Sequence, residues 1–158
     1  MVVIRSIPIP GDNRISSPNA QILGDKDTAL TLTVSYHFFV VDDYDSTKRP
    51  KKRIGEISFT SLIGFRFCWA EMVYDEYPEI YDAMIAEIEK GHSYVLNEIM
   101  YSPYIEHMLS TNYHSHLDNR MGYDSVQEAD VKHFQISIDK YGVFDVLALE
   151  VSTNEYEA

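Results

Sequence analysis

Between Leu30 and Val40 apolar and polar residues alternate. Leu30, Leu32, Val34, Tyr36, Phe38 and Val40 share one phase, and Thr31, Thr33, Ser35 and His37 share the other. A period of two carried by β-branched and aromatic residues makes residues 28–41 a strand with one covered face. The second phase turns apolar only at Phe39 and Val41, as in a strand that enters a core from an exposed edge. A sheet is therefore the frame on which the rest must be placed.

The same period returns over 54–69, with Ile57 and Phe59 in phase and Phe65, Phe67 and Trp69 in phase after Gly64. A glycine inside a strand marks a bulge or a bend. The segment reads as one long bent strand, or two short ones, pairing back antiparallel on the first. The connection, 42–53, opens with Asp42, Asp43 and Asp45 and closes with Lys48, Arg49, Lys51, Lys52 and Arg53 around Pro50. It reads as a charged surface loop. No aromatic residues interleave its bases to stack on a nucleic acid. Upstream, Pro8, Pro10, Gly11, Asp12, Asn13 and residues 16–19 are turn formers without a period. Residues 1–27 read as irregular, with at most a short strand over 2–7.

The period then changes. Ile80, Tyr81, Met84, Ile85 and Ile88 fall at helical spacing, with Pro78 suited to the first turn and Gly91 to the stop. Val95, Leu96, Ile99 and Met100 form a second stripe, which reads as helical, closed by Ser102 and Pro103. Ser102 as cap and Pro103 at the first helical position start a short third helix through Tyr104, Ile105, Met108 and Leu109. After an irregular stretch over 112–125, Phe134, Ile136 and Ile138 alternate with His133, Gln135 and Ser137. A turn at 139–142 leads to a return strand over 143–151 that is apolar on both faces, hence central. Phe134, Ile136 and Ile138 are expected in the core, and His133, Gln135 and Ser137 toward water or a partner. The expectation is one α+β domain over 1–158: a mainly antiparallel sheet of about five strands, two or three helices inserted between strands, and an acidic tail at 152–158 that frays.

Size and charge narrow the function classes. A chain of 158 residues, 45% hydrophobic, buries a real core without staples. The single Cys68 cannot bridge within the chain, and no signal or membrane span is readable, which makes the cytoplasm the expected compartment. Residues 1–53 carry eight Lys/Arg against six Asp/Glu, whereas residues 54–158 carry five against nineteen. Phosphate backbones are repelled by such a surface and a basic protein is steered to it. The expected partner is therefore a basic protein, not nucleic acid or membrane.

Chemistry-bearing motifs are scarce. His107, His114 and His116 are the densest ligand group, but the helical pair of histidines four apart is missing, and the reading is no metal and no cofactor. Cys68, between Phe67 and Trp69, reads as a packed thiol, and no phosphate loop or nucleophile elbow occurs. No catalytic residue is assigned. Twelve tyrosines are the anomaly, many of them beside acids. Tyr74, Asp75, Glu76, Tyr77, Tyr101, Tyr104, Tyr113 and Tyr123 are the candidate partner-binding set, because tyrosine offers a large rigid contact with a polar tip.

The order Ile57-Ser58-Phe59, Phe65-Arg66-Phe67, Asn97-Glu98, Ser102-Pro103-Tyr104-Ile105, Lys132-His133-Phe134-Gln135-Ile136 and Phe144-Asp145-Val146-Leu147-Ala148 spans about residues 54–152. It resembles small bacterial proteins taken to be immunity proteins of toxin systems. The resemblance implies a cytosolic inhibitor that binds a cognate toxin and performs no chemistry. The competing readings are a small enzyme or metal-dependent hydrolase around His107, His114 and His116, and a structural subunit that pairs exposed strand edges with its own copy.

Overall fold

The computed structural model describes residues 1–11, 14–24, 30–41, 47, 49–92, 95–108, 130–139 and 142–158. Along the chain run β1 (Val3–Ser6), β2 (Asn19–Leu23), β3 (Thr31–Val40), β4 (Lys51–Cys68), α1 (Ala70–Glu76), α2 (Pro78–Glu89), β5 (Leu96–Met100), α3 (Pro103–Met108), β6 (Lys132–Ile138) and β7 (Gly142–Glu157). The seven strands among the described residues lie in one antiparallel sheet, in the order β1-β5-β6-β7-β4-β3-β2.

This corrects the expected sheet of about five strands with two or three inserted helices. The described residues are about 56% strand and 20% helix, and their helices are short. The stripe at 95–100 is β5, because apolar residues on both faces of a short strand mimic helical spacing. Leu96 enters one core and Ile99 the other. β1 falls within the short strand allowed over 2–7 and pairs with β5 as one sheet edge, while the stretch read as irregular also supplies the other, β2 against β3. β2 does not announce itself, since it is exposed throughout. Lys51, Lys52 and Arg53, read as loop, begin β4. Residues 153–157 of the expected fraying tail pair with β4 from Ile57 back to Arg53.

The β4–β7 ribbon organises the sheet. Its first half carries β3, whose register on β4 ends at Leu32 opposite Phe59, and its second half carries β6 along Gly142 to Ala148. Between the halves the register shifts at Leu62/Gly64, and Ser61 takes φ 55°. Phe59 and Leu62, three apart, point into the same core, as do Ala148 and Val151 on the facing strand. Both strands therefore turn a corner there, in the way bulges bend sheets. The Phe59 and Phe134 rings, on strands two apart, come within 5.5 Å. That is much closer than the roughly 9.6 Å of two flat strand spacings, so the sheet curls around this core.

Residues 7–11 and 14–18, between the two sheet edges in sequence, lie across the opening of the curl. Ile7 donates its N–H to the Leu96 carbonyl, Tyr36 donates its hydroxyl to the Pro10 carbonyl at 2.6 Å, and Ile15, fully buried, accepts from the Asp139 N–H. Burial pushes the Tyr36 hydroxyl pKa up, with the Glu155 charge adding, so it stays a donor. Gly55, directly opposite Tyr36, makes this possible: a Cβ there would overlap the tyrosine ring.

The other face of the second half is roofed by the helices. Pro78 opens α2, and Gly91 at φ 84° follows its end. Ile80 and Met84 of α2 and Tyr104 of α3 pack with Ile4, Ile99 and Leu147 of the sheet. Among the described residues no helix is long and apolar enough to cross a membrane.

Candidate functional site

Under this helical roof the register lines up one polar row across five strands: Ser6, Asn97, Gln135, Asp145 and Arg66. Buried polar groups require partners, and Asp145 at the row's centre has three. It accepts from His133 Nε2 at 2.7 Å, Gln135 Nε2 at 3.0 Å and Arg66 Nε at 3.1 Å. Arg66 also reaches Glu76 at 2.9 Å and lies over the Tyr104 ring, 4.5 Å from its centroid. Burial alone would raise the Asp145 pKa. The hydrogen bonds and charge of His133, the Gln135 amide and the Arg66 charge outweigh it and hold the carboxyl below its ordinary value.

An ionised Asp145 only accepts, so His133 carries a proton on Nε2, and its Nδ1 shares a hydrogen bond with the Ser102 hydroxyl at 2.7 Å. The result is a hydroxyl–imidazole–carboxylate chain, the set of groups a serine hydrolase uses. Its surroundings assign it another task. Ser102 is 5% exposed, and its oxygen already accepts the Tyr104 N–H at 3.2 Å as the cap of α3. The Asp145 charge that would stabilise an imidazolium is already balanced by Arg66. The chain instead fastens α3 to β6 and β7. Gln135 Oε1, Asn97 Oδ1 and Arg66 Nη2 find no partner among the described residues.

The residues singled out from sequence scatter over the fold. Tyr77 and Tyr104 are buried and meet edge to face at 5.9 Å. Burial, with the Glu76 hydrogen bond second, pushes the Tyr77 hydroxyl up to about 12. Both are core residues, which takes them out of the partner-binding set. Tyr74 is half-buried and its ring lies 4.9 Å from that of exposed Tyr81. Asp75 and Glu76 are exposed, and Tyr101, 77% exposed, sits at φ 56° just after β5. His107 is exposed in the last turn of α3. Tyr113, Tyr123, His114 and His116 lie outside the described residues, and among those described no three metal-ligating side chains converge. Cys68 is partly covered, and burial raises its thiol pKa, which suits packing over attack.

His133 and Gln135, expected to face water, are 1% exposed. The correction follows from topology. The strand that pairs with a central strand is itself covered once β5 lies on its far side. A signal for this row exists in the sequence: Asp145 stands alone in the apolar run from Val143 to Leu149 and must find donors on neighbouring strands.

Among the described residues, two surfaces combine exposed aromatic or thioether side chains with a distinct chemistry. On the helical layer, residues 67–89 hold seven carboxylates and no Lys or Arg. Asp75, Glu79 and Asp82 are exposed there with Tyr81 and Met72, the latter 62% exposed. On the opposite side of the sheet Phe65 and Phe67 flank Phe144, at 6.4 and 4.7 Å between ring centroids. A cavity of about 380 Å³ opens beside them, lined by Ser16, Ser17, Pro18, Phe67, Ile138 and Phe144. No family model, curated protein or solved structure matches the chain.

Proposed function

We propose that the protein is a non-enzymatic inhibitor of the immunity type, which neutralises a basic toxin domain by docking it on the α1–α2 face. The observation that carries the reading is the composition of that face: exposed Met72 and Tyr81 among Asp75, Glu79 and Asp82, without a Lys or Arg from residue 67 to 89. Carboxylates attract a basic partner over a long range and set its orientation, while the thioether and phenol supply desolvated contact once it arrives. The resemblance of residues 54–152 to immunity proteins points the same way. The partner set narrows from the eight residues expected to the exposed ones on this layer, with Tyr74 supporting Tyr81.

The first test is whether the neighbouring gene encodes a large secreted protein with a basic C-terminal domain, whose absence counts against the reading, and the remaining tests use that domain. Co-expression is expected to restore growth of cells that make that domain. Association is expected to slow as ionic strength rises from about 0.01 to 1 M and the screening length falls from roughly 30 to 3 Å. A variant with Asp75, Glu79 and Asp82 changed to Lys is expected to lose protection while staying folded. Protection by that variant, or an association rate flat in salt, overturns the reading.

A further inference from the structure

Beyond the corner in β4, the described residues leave an edge without a strand. The last described group to reach β4 on that side is the carbonyl of Leu30, just before β3, which accepts from the Leu62 N–H. Residues 64–68 then have β7 on one side and, among the described residues, no strand on the other. An open edge with exposed aromatic side chains is a template for another strand, and Phe65 and Phe67 are 40% and 47% exposed.

The sequence of this edge says which strand fits. Residues 64–68 read Gly-Phe-Arg-Phe-Cys, a small residue, Phe, Arg, Phe and a small residue, which is the same pattern in both directions. We propose that a second copy of this chain adds antiparallel along this edge. The two β4 strands pair about a two-fold axis at Arg66, so that Phe65 of each copy faces Phe67 of the other and Gly64 faces Cys68. A two-fold interface needs a self-complementary patch, and this register makes one. The four phenylalanines then form cross-strand aromatic pairs on one face, continuous with Phe144 in each copy. The two Arg66 side chains near the axis do not oppose each other. Each leans away across its own β7 to Asp145 and Glu76 and is neutralised there.

This surface lies on the other side of the sheet from the α1–α2 face, so the dimer stands or falls independently of the function proposed above. Its salt dependence also has the opposite sign. Each copy carries a net charge of −12, so screening strengthens self-association while it weakens docking of a basic partner.

Light scattering on the full chain at high micromolar concentration is expected to give twice the 18.2 kDa chain mass, rising in dimer fraction with salt. Phe67→Asp is expected to return 18.2 kDa with an unchanged circular dichroism spectrum. Gly64→Cys tests the register. Direct partners in an antiparallel pair sit about 4.5–5.5 Å apart at Cα, within disulfide reach. Positions 64 and 68 of one strand are about 13 Å apart, beyond it. Mild oxidation of Gly64→Cys is therefore expected to yield a covalent dimer through the native Cys68, abolished by adding Cys68→Ser. A monomeric wild-type mass, a dimer that survives Phe67→Asp, or a dimer whose Gly64→Cys form does not cross-link overturns the proposal.

Discussion

Replacing Asp145 by Asn keeps the shape of the side chain and removes only its charge and one acceptor oxygen. In the folded protein three donors converge on that carboxylate: His133 Nε2, Gln135 Nε2 and Arg66 Nε. If the amide keeps its oxygen toward His133 and Gln135, its NH2 faces the Arg66 N–H and two donors meet. If it turns the oxygen to Arg66, the NH2 faces His133 and Gln135, and it is met only if His133 moves its proton to Nδ1, with the Ser102 hydroxyl turning to accept it, and the Gln135 amide flips. Neither orientation keeps the three present donors, and neither restores the charge opposite Arg66. Breaking a buried pair from one side costs about 3–5 kcal/mol. The Arg66 side chain is 30% exposed and retains Glu76, so solvent returns part of the loss and about 3 kcal/mol is expected. For a chain of this size that lowers the melting temperature by about 6–12 °C. Acid supplies a second readout. The folded Asp145 pKa lies below its ordinary value, so its contribution is present above the ordinary carboxylate range and is lost as pH falls through the folded pKa. Urea titrations from neutral pH downward are expected to show Asp145→Asn and wild type converging below about pH 4. A loss under about 1 kcal/mol at neutral pH, or a gap that does not narrow in acid, refutes the account of the row.

Ser102→Ala removes the α3 cap and leaves His133 Nδ1 unpaired, and denaturant melts are expected to show a loss of about 1–3 kcal/mol. A fluorophosphonate probe is expected to leave Ser102 unlabelled in the folded protein, by intact mass, because its oxygen is enclosed and occupied. Gly55→Ala drives a methyl into the Tyr36 ring and is expected to cost about 1–3 kcal/mol, with proteolysis near Pro10 speeding up as the Tyr36 bond to its carbonyl is disturbed. In the β6–β7 hairpin, Ile136→Ala is expected to cost about 2–5 kcal/mol by leaving a cavity. Gln135→Ala is expected to cost about 1–3 kcal/mol by withdrawing a donor from Asp145.

The elements most legible in the sequence are those whose period is set by one covered face. β3 reads directly from Leu32, Val34, Tyr36 and Phe38, all of which are buried. The β6–β7 hairpin reads from Phe134, Ile136 and Ile138, and the bend in β4 from Gly64, two residues past the corner at Leu62. Pro78 and Gly91 delimit α2, and Ser102 caps α3, as their local chemistry requires. What fails is whatever depends on a partner far along the chain. β2 shows no period because neither of its faces is covered, and β5 shows the wrong one because both of its faces are. A strand at the rim and a strand at the centre thus escape the same test for opposite reasons.

The polar row follows the same logic at the level of side chains. His133 and Gln135 look like the wet face of a hairpin, because the hairpin alone leaves them wet. They become buried only when β5, about 40 residues upstream, pairs on the far side of β6 and the helices close over both. The charge that balances them, Arg66, comes from a third segment and lies directly opposite Asp145 only because β4 has turned its corner and shifted register between Leu62 and Gly64. Without that shift the alternation would send Arg66 to the other face, among Phe59 and Phe144, with its carboxylate partners on the far side of the sheet. The bulge therefore does two things at once. It folds the ribbon so that one core can close, and it re-aims Arg66 so that the other core can contain an ionised aspartate. The same re-aiming brings Phe65 and Phe67 to the opposite face beside Phe144, on the stretch of β4 whose outer side has no strand among the described residues, so one irregularity underlies both the buried row and that aromatic edge.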